Sequence, residues 1–161
     1  WMLDVIAANL GTAAAHAAHH AAAAGPVRID DGELDAACAT GGACAAGPLE
    51  CVPLVSPAEA HRRRESGGPQ RPFLLDVREP WEFHGPYGRH APGAHLVPLA
   101  QVPGRLDELP ADREHEILVI CKSGGRSAHA AAYLIQQGFR RVFNVATGTD
   151  GWYQSGLPVE G

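Results

Sequence analysis

The sequence has no apolar run approaching the roughly 18–20 residues that a membrane-spanning helix requires, so nothing in it reads as a transmembrane segment. Its opening, Trp1-Met2-Leu3-Asp4, has neither a basic stretch nor an apolar h-region and so lacks the pattern of a secretory signal. Basic charge is in short supply. Thirteen Lys and Arg stand against 18 Asp and Glu, a formal net charge of -5, which weighs against nucleic acid or an anionic membrane as a partner. Cysteine is sparse too: Cys38, Cys44, Cys51 and Cys121 do not make a disulfide-dense chain. The expectation is a reducing, cytoplasmic compartment. No self-similarity at a solenoid period is visible.

Large apolar side chains are scarce in the first third. Met2 to Leu10 is a short apolar run. Ala13 to Ala24 is an Ala/His tract with helical propensity but no stripe to bury. Gly25-Pro26 would stop it. Residues 30–50 are acidic, then rich in Gly and Ala, and read as a linker. The expected division is an N-terminal segment or linker over residues 1–51 and a folded domain over 52–161.

From Val52 the pattern turns regular. Val52 to Val55 reads as a short strand. Ser56-Pro57-Ala58-Glu59 reads as a helix start with Ser at N-cap, Pro at N1 and Glu at N3, a capping box. Phe73 to Val77 reads as a buried strand, Pro80 to Phe83 as a short helix, Gly85 to Gly93 as a loop, and Ala94 to Pro98 as a strand. Val102 to Leu109 has helical spacing. Glu116 to Ile120 is a continuous apolar run, the mark of a strand covered on both faces. Ser127 to Gln137 reads as a helix closed by Gly138, Val142 to Val145 as a last strand, and Gly151 to Gly156 as a short helix or turn. Strands alternating with helices predict an α/β domain with a mainly parallel sheet flanked by helices on both faces.

The chemistry concentrates in Ile120-Cys121-Lys122-Ser123-Gly124-Gly125-Arg126-Ser127. A strand ends, a glycine-containing loop follows, and a helix begins. Ligands of open α/β sheets bind at the carboxyl ends of strands, and a helix N-terminus presents unpaired N–H groups to an anion. A thiol placed there titrates below its free value of about 8.5. Cys121 is the candidate nucleophile. Lys122, Ser123, Gly124, Gly125, Arg126 and Ser127 form the cradle for a thiolate, a persulfide or an oxyanion.

The stretch from about Val52 to Gly161 resembles the rhodanese family. Leu75-Asp76-Val77-Arg78-Glu79 is similar to its early Asp-Val-Arg motif. Arg89-His90-Ala91-Pro92-Gly93-Ala94 is similar to its Gly-His-Ile-Pro-Gly-Ala motif, with Arg for Gly and Ala for Ile. Cys121 to Ser127 resembles the active-site loop, and Gly148 to Trp152 with Gly156 to Val159 resembles the family's ending. The resemblance implies a rhodanese-like fold and a sulfurtransferase needing no cofactor and no metal. Its donor would be a small anionic one, thiosulfate or glutathione persulfide. Its acceptor would be cyanide, a thiol or a protein cysteine. The six residues from Cys121 to Arg126 match the sulfurtransferase branch; related phosphatases and arsenate reductases carry one residue more. A non-catalytic interaction module on the same scaffold is the competing reading, opposed by the intact Cys121 and Arg126. Met2 to Gly11 resembles the tail of the catalytic domain in persulfide dioxygenase–rhodanese fusions, which implies a fused or partner enzyme of sulfur metabolism.

Asp76 is expected to be a buried acceptor near the site. Arg78 is expected in a structural ion pair with Glu82, with substrate contact as the alternative. Arg126 is divided evenly between binding the donor and pairing with a carboxylate. His16, His19 and His20 share a helical face that could hold a metal, although Ala/His low complexity is the simpler account. Cys38, Cys44 and Cys51 lack a zinc spacing and are read as incidental, with sulfur relay or a regulatory disulfide as alternatives. His129 is expected to be exposed. His84, His90 and His95 could line the donor entrance.

Overall fold

A computed structural model of the chain describes residues 49–161. The Ala/His tract, the three histidines in it, Cys38, Cys44 and the Met2–Gly11 resemblance lie outside the described residues. Among the described residues no helix is long and apolar enough to cross a membrane.

Five parallel strands form one sheet: β1 (Leu54–Val55), β2 (Phe73–Asp76), β3 (His95–Leu96), β4 (Ile117–Ile120) and β5 (Val142–Val145), in the order β1-β5-β4-β2-β3. The central β4 is Ile-Leu-Val-Ile with every side chain buried, as its continuous apolar run predicts. It pairs in register with β2 over Phe73↔Ile117 to Asp76↔Ile120. Asp76 and Ile120 therefore end side by side, and the residues that follow them share one end of the sheet.

Helices cover both faces. α1 (Pro57–Ser66) and α4 (Gly148–Gln154) lie against one face. There Ala60 and Trp152 pack with Val55, Leu74, Leu118, Ile120 and Val145. The Trp152 indole N–H is satisfied by the Pro158 carbonyl at 2.8 Å, as a buried tryptophan requires. α3 (Gly125–Gln136) covers the other face, where Ala130, Ala131 and Leu134 meet Leu75, Val77, Val119 and Val142. The alanines let the helix approach the sheet closely, and Leu134 is fully buried. Truncating it to Ala would cost about 2–5 kcal/mol.

Three local expectations need correction. Ser56 caps α1 by accepting from the Glu59 N–H at 3.2 Å, but Glu59 does not complete a capping box. Its carboxylate is taken by Arg62 and Arg63. Val102 to Leu109 is not one α-helix but parts of two 3-10 segments, Leu99–Gly104 and Leu106–Glu108. Pro103 lies inside the first and cannot donate an i→i−4 bond, so the chain winds tighter and breaks. α3 and α4 each begin earlier than the apolar pattern indicates, at Gly125 and Gly148. Both extensions start at glycines beside the site.

Candidate active site

Cys121 follows β4 directly and is 1% exposed. The chain then turns through Lys122 and Ser123 to Gly124, whose φ of 98° is left-handed. Only glycine adopts that conformation without strain. The turn brings the Gly124 N–H to 3.2 Å from Cys121 Sγ, and the first turn of α3 brings Ser127 Oγ to the same distance. Burial pushes the thiol pKa up. The Ser127 hydroxyl and the N–H groups of Ser127, Gly124 and Ser123 act in the opposite direction and prevail, leaving Cys121 below its ordinary value.

The last helix clamps the other side of the loop. Thr149 N–H donates to the Cys121 carbonyl at 2.8 Å and Asp150 N–H to the Lys122 carbonyl at 3.0 Å. This approach needs Gly148: its φ is 54°, and a Cβ there would sit 2.2 Å from the Cys121 carbonyl oxygen. The preceding Thr147 also has positive φ, 59°, which is unusual for a β-branched residue.

Arg126 is committed to a carboxylate. Its two terminal nitrogens meet Glu82 of α2 (Pro80–His84) at 2.6 and 2.7 Å. The Arg126 hydrogen bonds hold the Glu82 pKa down to about 2 against the effect of burial. Arg78 therefore makes its expected structural ion pair with Asp76 rather than with Glu82. It wraps back onto Asp76, donating from its main-chain N–H and its guanidinium at 2.8–3.0 Å, and reaches only the main-chain carbonyl of Glu82. A two-residue separation at a strand end lets the fork close on its own neighbour, while Glu82 faces across the site to α3. Asp76 is fully buried, the acceptor the sequence suggests. Arg78 also donates to the Arg89 carbonyl at 2.9 Å, and the Tyr153 hydroxyl donates to the same oxygen.

Beside the loop opens a cleft of about 170 Å³, lined by Arg78, Glu82, Arg89, Lys122, Asp150 and Tyr153 among others. Lys122 and Arg89 are exposed, and neither side chain has an ion-pair partner among the described residues. A larger cleft, about 400 Å³, lies away from Cys121. Its buried Glu116 is already held by Arg63 and Arg141.

These features place a hydrogen-bonded thiol in a six-residue loop between a central strand and a helix, and a rhodanese-like domain model matches residues 56–155. The chain belongs to the rhodanese-like family. A sulfurtransferase of Allochromatium vinosum is 40% identical over 87 residues, spanning 54% of this chain and 77% of that one. A thiosulfate sulfurtransferase of Actinobacillus pleuropneumoniae is 37% identical over 107 residues, 66% of this chain and 91% of that one. The crystal structure of a rhodanese-related protein from Thermoplasma volcanium superposes with a TM-score of 0.57 at 26% identity, covering 67% of this chain and 97% of that one.

The rhodanese-like domain also contains a site residue that sequence reasoning missed. Asn144, on β5 and 4% exposed, accepts from Ser127 Oγ at 2.7 Å through Oδ1 and donates through Nδ2 to the Gly124 carbonyl at 3.0 Å. An Asn inside Val-Phe-Asn-Val was the available signal, because a polar group in a buried strand has to find partners. His129 is exposed. His84, His90 and His95 do not line the cleft; His90 stacks on Phe83 and His95 bonds Glu108. Cys51 is disulfide-bonded, one of the alternatives that its sequence context left open.

Proposed function

We propose that this domain is a sulfurtransferase that carries a sulfane sulfur on Cys121. The observation behind this reading is the Gly124 N–H aimed at Cys121 Sγ from 3.2 Å at the entry to α3, which favours a negatively charged sulfur at that point. The reaction is two-step covalent catalysis. The Cys121 thiolate attacks the outer sulfur of thiosulfate or of glutathione persulfide. A new S–S bond forms, and the donor's S–S bond breaks with its electron pair leaving on sulfite or on the glutathione thiolate. The resulting Cys121 persulfide is stabilised by the same preorganised donors. An acceptor, whether cyanide, a thiolate or a protein cysteine, attacks the outer sulfur, and the electron pair returns to Cys121.

The ion pair with Glu82 leaves Arg126 to fix the loop rather than to meet the donor. The anionic donor falls instead to Lys122, the chain's single lysine, and to Arg89. Arg89 has its carbonyl fastened by Arg78 and Tyr153, which sets the main chain from which its side chain reaches the cleft. The absence of a seventh loop residue supports sulfur transfer over phosphate or arsenate chemistry.

The test is intact mass after incubation with thiosulfate, and separately with glutathione persulfide, for the wild-type chain and Cys121→Ser. The expected result is a gain of one sulfur atom in wild type and none in the variant. The faster donor identifies the substrate class. A folded, reduced protein that gains no sulfur from either donor overturns the enzyme reading in favour of an interaction module.

A further inference from the structure

One hydroxyl proton cannot serve two acceptors. Ser127 Oγ lies 2.7 Å from Asn144 Oδ1 and 3.2 Å from Cys121 Sγ. The Asn144 amide cannot be turned over, because its Nδ2 donates to the Gly124 carbonyl and a flip would set oxygen against oxygen. Asn144 Oδ1 carries no proton, so the short contact is the Ser127 hydroxyl donating to it. With its proton committed there, Ser127 Oγ turns a lone pair towards Cys121. That suits a thiol, whose S–H can donate to it. A thiolate has nothing to donate and needs the hydroxyl to swing round to sulfur, which breaks the bond to Asn144. Cys121, Ser127 and Asn144 are 1%, 0% and 4% exposed, and an acceptor left unpaired at that depth is costly.

We propose that Asn144 is a positioning residue that sets the thiol–thiolate balance of Cys121 by competing for the Ser127 hydroxyl proton. Its amide N–H meanwhile holds the Gly124 carbonyl, which keeps the Gly124 N–H on sulfur. The proposal rests on Cys121 as the nucleophile but not on any particular donor. The charged groups on the surrounding elements are Lys122 and Arg126 on the loop and α3, Asp76 and Arg78 at the end of β2, Glu82 on α2 and Asp150 on α4. The substitutions below change none of them.

The experiment is a pH titration of the Cys121 thiolate by its near-ultraviolet absorbance in the full chain. It uses wild type, Asn144→Leu, Ser127→Ala and the double variant, each corrected with its Cys121→Ala counterpart. Asn144→Leu frees the hydroxyl for sulfur only where a hydroxyl exists. With Ser127 present it therefore yields about three- to tenfold more thiolate at pH values below the midpoint than the same substitution yields in the Ser127→Ala background, the size of one net hydrogen bond. An equal shift in both backgrounds, or a loss of thiolate specific to the Ser127 background, overturns the proposal and leaves Asn144 as a plain support for the loop. Circular dichroism checks folding. Should Asn144→Leu fail to fold, Asn144→Thr answers the same question, since its side chain is one bond too short to reach Ser127 Oγ. The titration uses no sulfur donor, so a chain that shows this coupling yet fails to take up sulfur would overturn the sulfurtransferase reading alone.

Discussion

Glu82 holds Arg126 with both carboxylate oxygens and accepts the Glu79 N–H at 2.9 Å. The Arg126 hydrogen bonds, helped by the Glu79 N–H, hold its pKa near 2, below the ordinary 4.5. A carboxyl depressed on folding stabilises the native state above its unfolded pKa, and that contribution disappears as pH falls through the folded value. Glu82→Gln is therefore expected to lose about 1–2 kcal/mol, between the worth of an exposed and a buried pair. The gap from wild type should narrow as pH falls from about 4.5 towards about 2, as urea denaturation at a series of pH values would record. The Arg126 alternatives were even in the sequence because its partner sits 44 residues away, at a distance that spacing does not encode. Cys121 and its loop were legible because they are neighbours in the chain, and Asp76 because it stands in a motif of its own with Arg78. Asn144 was not, because its two partners come from a loop and a helix that only the fold brings to β5.

At the level of elements, legibility followed continuity of apolar sequence. β4 and β5 appear where their runs predict. β1 and β3 shrink to two residues each, since edge strands pair on one side only. The site-forming starts of α3 and α4 were hidden because glycines carry no hydrophobic signal; backbone geometry alone selects them. Between β5 and α4 the chain passes through Thr147 at φ 59°. Its side chain is exposed and its hydroxyl bonds only the neighbouring Ala146 carbonyl. A β-branched residue in the left-handed region costs about 1–3 kcal/mol, whereas Asn tolerates it. Thr147→Asn is expected to raise stability by about 0.5–1 kcal/mol, visible as a higher melting temperature. A lower one would mean that the strain is offset by contacts of the threonine.

For the whole molecule, the sheet buries both faces within the described residues. One apolar cluster lies beneath α3 and another beneath α1 and α4. A fragment of residues 52–161 is therefore expected to unfold in a single cooperative transition with the Cys121 titration of the full chain. A broad, uncooperative melt would show that the domain leans on residues before 52. The α/β class, the parallel sheet and the helices on two faces were legible because alternation of element type dictates them. Strand order was not, since it depends on crossovers. That order, with β5 between β1 and β4, has a consequence for the chain as it is made. Translation delivers β1 and β4 before the strand that joins them, and that strand brings Asn144, with Thr149 and Asp150 after it, to complete the thiol's surroundings. A growing polypeptide thus displays Cys121 with few of its restraints, and the reactive sulfur acquires its tuned character only once β5 and α4 have left the ribosome.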